Sequence, residues 1–206
     1  TNIRLYLDLL ERVRDEHKVD RYLRTLSRES DRLSSLIDDL LSLSRLDAGT
    51  TLLRLTNVDV NELLKALVED RRSLAAQRGL ELHIDVEQDL PELHGDPRLL
   101  AQVFTNLLTN AMNYTKEGGS IQLQTRTREI EGEPWVAIHV EDTGLGILPD
   151  EQAMIFNRFY RGLASQSTGA SGTGLGLAIC EEIIQRHGGR IHVASSGVAG
   201  EGSRFS

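Results

Sequence analysis

The sequence predicts an α+β protein, a helical hairpin followed by a mixed α/β unit, on three observations. Residues Thr1 to about Gly49 contain no proline, and their only glycine is Gly49, while their apolar residues keep helical spacing. Beyond Asn61 the apolar period switches back and forth between helical and alternating segments. Two glycine-rich turns stand where one strand ends and where one helix begins. The 206 residues allow one ordinary domain plus a smaller helical element. With 39% hydrophobic and 26% charged residues, a packed core is feasible.

In the hairpin, Val19, Leu23, Leu26, Leu33, Ile37 and Leu40 follow alternating steps of four and three, with Ser30 and Ser44 in the same series. That is a heptad seam. Ile3, Tyr6, Leu7, Leu10 and Val13 give a shorter helix before it, and Arg14–Lys18 is the expected reversal. A monomeric helix pair is one reading. A dimer is the preferred one, because two lone helices bury too little apolar surface and a second hairpin completes a four-helix bundle.

Gly49–Val58 reads as a linker, and Asn61 as the cap of a helix ending near Gly79 with Leu63, Leu64, Leu67 and Val68 buried. Leu80, Leu82, Ile84 and Val86 alternate with polar residues as a half-buried strand does. Asp96-Pro97 places a capping residue before an N1 proline and opens a helix carrying Leu100, Val103, Phe104, Leu107 and Leu108. Strands follow at Ser120–Thr127 and Trp135–Glu141, divided by a turn at Glu131–Pro134. A last helix runs from about Leu175 to His187 and leads into a strand at Arg190–Ala194. Gly162–Gly172 is rich in small residues and reads as a mobile loop.

The net charge of −8 argues against a nucleic-acid binder, which needs positive patches. The single cysteine, Cys180, forms no internal disulfide. There is no run of about 18 apolar residues and no signal-peptide pattern. The chain begins at Thr1, in mid-helix by its pattern, and is read as a piece of something longer.

Asp142-Thr143-Gly144-Leu145-Gly146 follows a strand, and Gly172-Thr173-Gly174-Leu175-Gly176 opens a helix. Glycine lets backbone amides approach a ligand, and a helix N-terminus favours phosphate. Such turns supply a local anion site to a negative protein. Neither fits a Walker loop or a dinucleotide fingerprint. Asn106 and Asn110 share a helical face among apolar residues and need partners there. Two readings are open: helix-to-loop hydrogen bonds in the core, or an amide oxygen of Asn110 presented to Mg²⁺.

Asn106-Leu107-Leu108-Thr109-Asn110-Ala111 resembles the N box of the bacterial sensor histidine kinase catalytic domain. Asp142–Gly146 resembles its G1 box, Ile155–Arg161 its F box and Gly172–Ile179 its G2 box. The four occur in the family's order, and Leu43–Gly49 is similar to the end of its second dimerisation helix. The resemblance implies a GHKL-type (Bergerat) ATP-binding fold, an α/β sandwich whose mixed sheet of about five strands is covered on one face by helices. It implies residues 1–49 as the dimerisation hairpin, 50–58 as linker and 59–206 as catalytic domain, with the last strand incomplete. By the same resemblance the cofactors are ATP and Mg²⁺. Asp142 accepts from the adenine amino group, Gly144 and Gly146 shape the base pocket, and Tyr114 packs by the nucleotide. Asn110 ligates Mg²⁺ with Asn106 nearby, and Arg161 approaches the phosphates. Gly162–Thr173 is the ATP lid, with Gly174 and Gly176 at its hinge, and Gly172, Thr173 and Leu175 join them as nucleotide-binding residues.

The implied partners are a second copy of the chain and a response-regulator receiver domain, in a cytoplasmic setting, with any membrane contact through upstream regions. The family's phosphoacceptor histidine and its neighbouring acid are expected upstream of Thr1, so this chain alone is not expected to phosphorylate itself. Asn113 stands where the family often has lysine. Of the six histidines, His83, His139 and His192 are expected on solvated strand faces. His187 is expected at a helix C-terminus, where positive charge is favoured. Cys180 and Trp135 read as packing residues. One rival is an ATP-hydrolysing relative, which would place glutamate where Asn106 stands. The other is a nucleotide-dependent dimerising scaffold or regulator phosphatase without kinase activity.

Overall fold

The computed structural model describes residues 4, 9–10, 15–47, 52–163, 165 and 172–206. Most of the expected first helix, the start of the linker and the middle of the expected lid lie outside them. Helix α1 (Glu16–Asp47) begins earlier than expected. Asp15 Oδ1 accepts from the backbone N–H of His17 at 3.0 Å and of Lys18 at 3.4 Å, so the reversal ends at Asp15. The predicted seam is open in the single chain, with Leu23, Leu33, Ile37 and Leu40 between 44% and 56% exposed. A second stripe, Leu36, Leu43 and Leu46, turns inward instead and packs on the core.

The end of the expected linker is a strand. β1 (Thr56–Val58) pairs antiparallel with β3 (Leu93–Gly95), fastening the linker to the following domain. Helix α2 (Val60–Gln77) is capped by Asp59, which accepts from the Glu62 N–H at 3.0 Å, not by Asn61. Asp59 and Glu62 have the spacing of a capping box, which decides the start. Asn61 donates to the Glu87 carbonyl at 2.7 Å and accepts from the Thr125 hydroxyl at 2.9 Å, satisfying a fully buried threonine.

The main sheet has five strands in the order β2-β4-β5-β7-β6: β2 (Glu81–Asp85), β4 (Ser120–Ile130), β5 (Glu133–Asp142), β7 (Ser203–Phe205) and β6 (Val193–Ala194). β2 and β4 are parallel and the other pairs antiparallel. The β4–β5 hairpin closes through Glu131 and Gly132 alone, both at positive φ, as a two-residue turn requires. β7 is an interior strand, and Ser206 prolongs its ladder by exchanging both backbone bonds with His192. Helices α2, α3 (Pro97–Tyr114) and α5 (Gly176–Arg186) cover one face. The core between them holds Leu64, Val68, Val103, Phe104, Leu108, Ile121, Leu123, Val140, Ile179 and Ile183. Asp96 caps α3 through the N–H groups of Arg98 and Leu99, with Pro97 at N1, as the sequence predicts. Among the described residues no helix is long and apolar enough to cross a membrane.

Two histidines depart from expectation. His83 and His192 are exposed, but His139 is only 8% exposed, its Nδ1 2.8 Å from the Ser206 hydroxyl. Burial, with the guanidinium groups of Arg204, Arg128 and Arg126, holds its imidazole below the usual range. His187 is the C-cap of α5, yet it is not a positive end. Its Nε2 accepts from the Asp96 N–H at 2.9 Å, so Nδ1 carries the hydrogen and donates to the Ile183 carbonyl at 2.7 Å. Cys180 is fully buried in α5, and burial pushes its thiol up to about 12.

Candidate functional site

Four-residue spacing sets Asn106, Asn110 and Tyr114 on one face of α3, above the end of β5 and beside the start of α5. They line a cavity of about 270 Å³ with Asp142, Gly146, Arg161, Gly172, Thr173, Gly174 and Gly176. Ten of the twelve predicted site residues therefore meet in one cavity. Gly144 and Leu175 do not line it. Leu175 is fully buried and precedes α5 as its N-cap. Gly144 acts from behind, where a Cβ would lie 2.6 Å from both Asp142 Oδ1 and the Tyr114 carbonyl oxygen.

Asp142 is 5% exposed and oriented at both oxygens. Oδ1 accepts from the Gly144 N–H and Oδ2 from the Ser203 hydroxyl, each at 2.7 Å. Burial raises its pKa above the ordinary carboxylate range, and these donors partly offset the shift. The Ser203 backbone N–H is a third donor, which leaves the carboxylate room for one more.

The two asparagines separate in role. Asn106 Nδ2 donates to the Gly176 carbonyl at 3.3 Å, tying α3 to the start of α5. Among the described residues no hydrogen bond engages the Asn110 amide, which faces the cavity. A hard cation that keeps several waters and takes its other oxygens from phosphate needs few protein ligands, and this amide oxygen fits that need. Among the described residues there is no cluster of three acidic, histidine or cysteine side chains to bind a metal otherwise. Asn113 accepts from Arg78 Nη1 at 3.1 Å, so a guanidinium stands beside that position. Burial raises the Tyr114 hydroxyl pKa, while the Arg161 charge and a hydrogen bond with Ser165 oppose the shift.

The roots of the expected lid are joined. Phe159, at φ 63°, donates its N–H to the Gly174 carbonyl at 2.8 Å. Gly174 has φ 73°, and a Cβ there would lie 2.8 Å from the Phe159 backbone, so glycine is required. Thr173 Oγ1 accepts from the Leu175 N–H at 3.1 Å and donates to Asp39 Oδ2 of α1 at 2.7 Å. Ser35 and Asp39 thereby add a wall to the cavity, and Arg186 of α5 holds the same helix through the Leu46 carbonyl.

Residues 95–206 match the family described as "Histidine kinase-, DNA gyrase B-, and HSP90-like ATPase", and residues 1–49 match the "His Kinase A (phospho-acceptor) domain". The chain belongs to the histidine kinase-like ATPases. A relative from Synechocystis sp., "Sensor histidine kinase RppB", is 37% identical over 189 residues, covering 92% of this chain and 40% of the relative. "Drug sensory protein A" of the same organism is 36% identical, covering 99% of this chain and 32% of the relative. The chain thus spans well under half the length of these curated relatives. Among solved structures, full-length ShkA in complex with AMPPNP superposes with a TM-score of 0.74 at 32% identity, covering 99% of this chain and 41% of that one.

In this histidine kinase-like ATPase several cavity residues carry no local sequence signal. Ser203 reaches Asp142 across 61 positions, and Asp39 reaches Thr173 across 134. Glu151 precedes the F box and Tyr160 lies within it, and the sequence pattern gives neither a role in the cavity. Only β5–β7 pairing and the docking of α1 bring the first two into place.

Proposed function

We propose that this chain is the ATP-binding catalytic part of a sensor histidine kinase. It transfers the γ-phosphoryl group of Mg·ATP to a histidine located upstream of residue 1, for onward transfer to an aspartate of a response regulator. The observation that carries the reading is one cavity bearing, on separate walls, the oriented carboxylate of Asp142, the unengaged amide of Asn110 and the guanidinium-bearing Arg161. In it Asp142 binds the adenine amino group, with Gly144 and Gly146 shaping the base pocket and Tyr114 beside the nucleotide. Asn110 offers its amide oxygen to Mg²⁺, and Mg²⁺, when bound, neutralises phosphate charge. Arg161 and the amides near Gly172, Thr173, Gly174 and Gly176 face the phosphates at the start of α5. The lid excludes water from them.

Asn106 is already spent on the Gly176 carbonyl and is no base, which favours transfer to a protein over hydrolysis. Residues 1–49 serve as the dimerisation hairpin, 50–58 as the linker and 59–206 as the catalytic domain, in a cytoplasmic part of a parent protein that can be membrane-anchored elsewhere. The test is incubation with γ-labelled Mg·ATP of this chain and of one extended upstream. Acid-labile, base-stable label on the extended form alone, abolished by Asn110→Ala, is the expected result. Absence of label on both, with nucleotide still bound, would overturn the kinase assignment.

A further inference from the structure

Glu151 lines the same cavity and has no part in the scheme above. It lies in the short helix α4 (Pro149–Gln152) and is 9% exposed. A buried carboxylate is costly unless hydrogen bonds compensate it, so its partners show what it holds. Its Oε1 accepts from the Leu163 N–H at 2.8 Å and from the Tyr160 hydroxyl at 3.2 Å. Those donors bracket Arg161 in sequence, one on each side. Between Arg161 and Leu163 stands Gly162, where a Cβ would come within 3.0 Å of the same oxygen. The carboxylate therefore rests against the chain at a position free of a side chain. Just before this stretch, the Phe159–Gly174 bond closes the neck of the lid.

A guanidinium on a long side chain reaches a phosphate reproducibly only if its backbone is fixed. Here one acceptor atom holds the Leu163 backbone N–H on one side of Arg161 and the Tyr160 side-chain hydroxyl on the other. We propose that Glu151 is a positioning residue, the pin at the leading root of the lid that holds Arg161 toward the γ-phosphate end of the nucleotide. The proposal rests on the nucleotide reading of the cavity. It sets Glu151 apart from a general stabilising role, because only ligands that reach Arg161 should sense its loss.

The test is calorimetric binding of Mg·AMPPNP and of Mg·ADP to the whole chain. In Glu151→Ala, AMPPNP affinity is expected to fall about tenfold, the size of one or two lost hydrogen bonds, while ADP affinity stays within about twofold. Glu151→Gln keeps an amide oxygen for both donors and is expected to restore AMPPNP binding. Tyr160→Phe removes one donor and leaves the carboxylate, so it should show part of the same preferential loss. If Glu151→Ala does not fold, Tyr160→Phe decides alone. Equal loss of both nucleotides, no loss, or a Glu151→Gln as impaired as Glu151→Ala would overturn the pin. Wild-type chain that binds neither nucleotide would instead bring down the nucleotide reading itself, a distinguishable result.

Discussion

His139 shows how one side chain can be misplaced by periodicity and still obey chemistry. Its strand parity puts it on the face without helices, where solvent was expected, yet neighbouring Arg204, Arg128 and Arg126 and the Ser206 hydroxyl enclose it. Alternation tells which face a residue takes, not how tall its neighbours are. Burial and three positive charges favour the neutral ring in the folded chain, so the unfolded chain binds the proton more readily. The sign follows: folding stability contributed here is complete above about pH 6.5 and is lost as pH falls below it. Denaturant titrations at pH 7.5 and 5.5 should show a smaller unfolding free energy at the lower pH, with His139→Gln reducing the difference. An unchanged difference would mean that other groups set the acid sensitivity. At the site, Asp142 was legible because a glycine-rich turn follows it directly. Ser203 was not, because its role depends on a strand pairing across 61 positions.

Among the elements, those with strong local signals came out as read. Asp96-Pro97 starts α3, and the alternations over β2, β4 and β5 all form strands. The failures are junctions. The sequence pattern points to Asn61 as a cap, whereas Asp59, with Glu62 three residues on, caps the helix. The linker's strand β1 lay hidden because three residues show no periodicity, and its partner β3 is equally short. Helix α1 carries two apolar stripes, and only the regular one was visible in sequence. Their functions should separate by mutation. Leu46 is 2% exposed, so Leu46→Ala is expected to cost about 2–5 kcal/mol of the α1–core packing, read as a lower melting temperature. Leu23 is 52% exposed, so Leu23→Ala should leave that melting nearly unchanged and instead weaken self-association in analytical ultracentrifugation. Equal effects of the two on melting would contradict this division.

At the scale of the whole molecule, α1 is shared property. Its inward stripe and Asp39 belong to the nucleotide cavity's side, and its outward stripe is open to a second copy. Asp39→Ala should leave the catalytic domain folded but speed amide hydrogen exchange at residues 173–176 and along the C-terminal half of α1. Unaltered exchange there would show that the Asp39–Thr173 bond transmits nothing. An α-helix turns about 100° per residue, so a register shift of one residue in the bundle carries the Asp39 carboxylate off Thr173 altogether. The cavity wall built by Asp39 therefore depends on the rotational setting of α1 about its own axis, which the buried Leu46 and the Asp39–Thr173 bond hold in this structure.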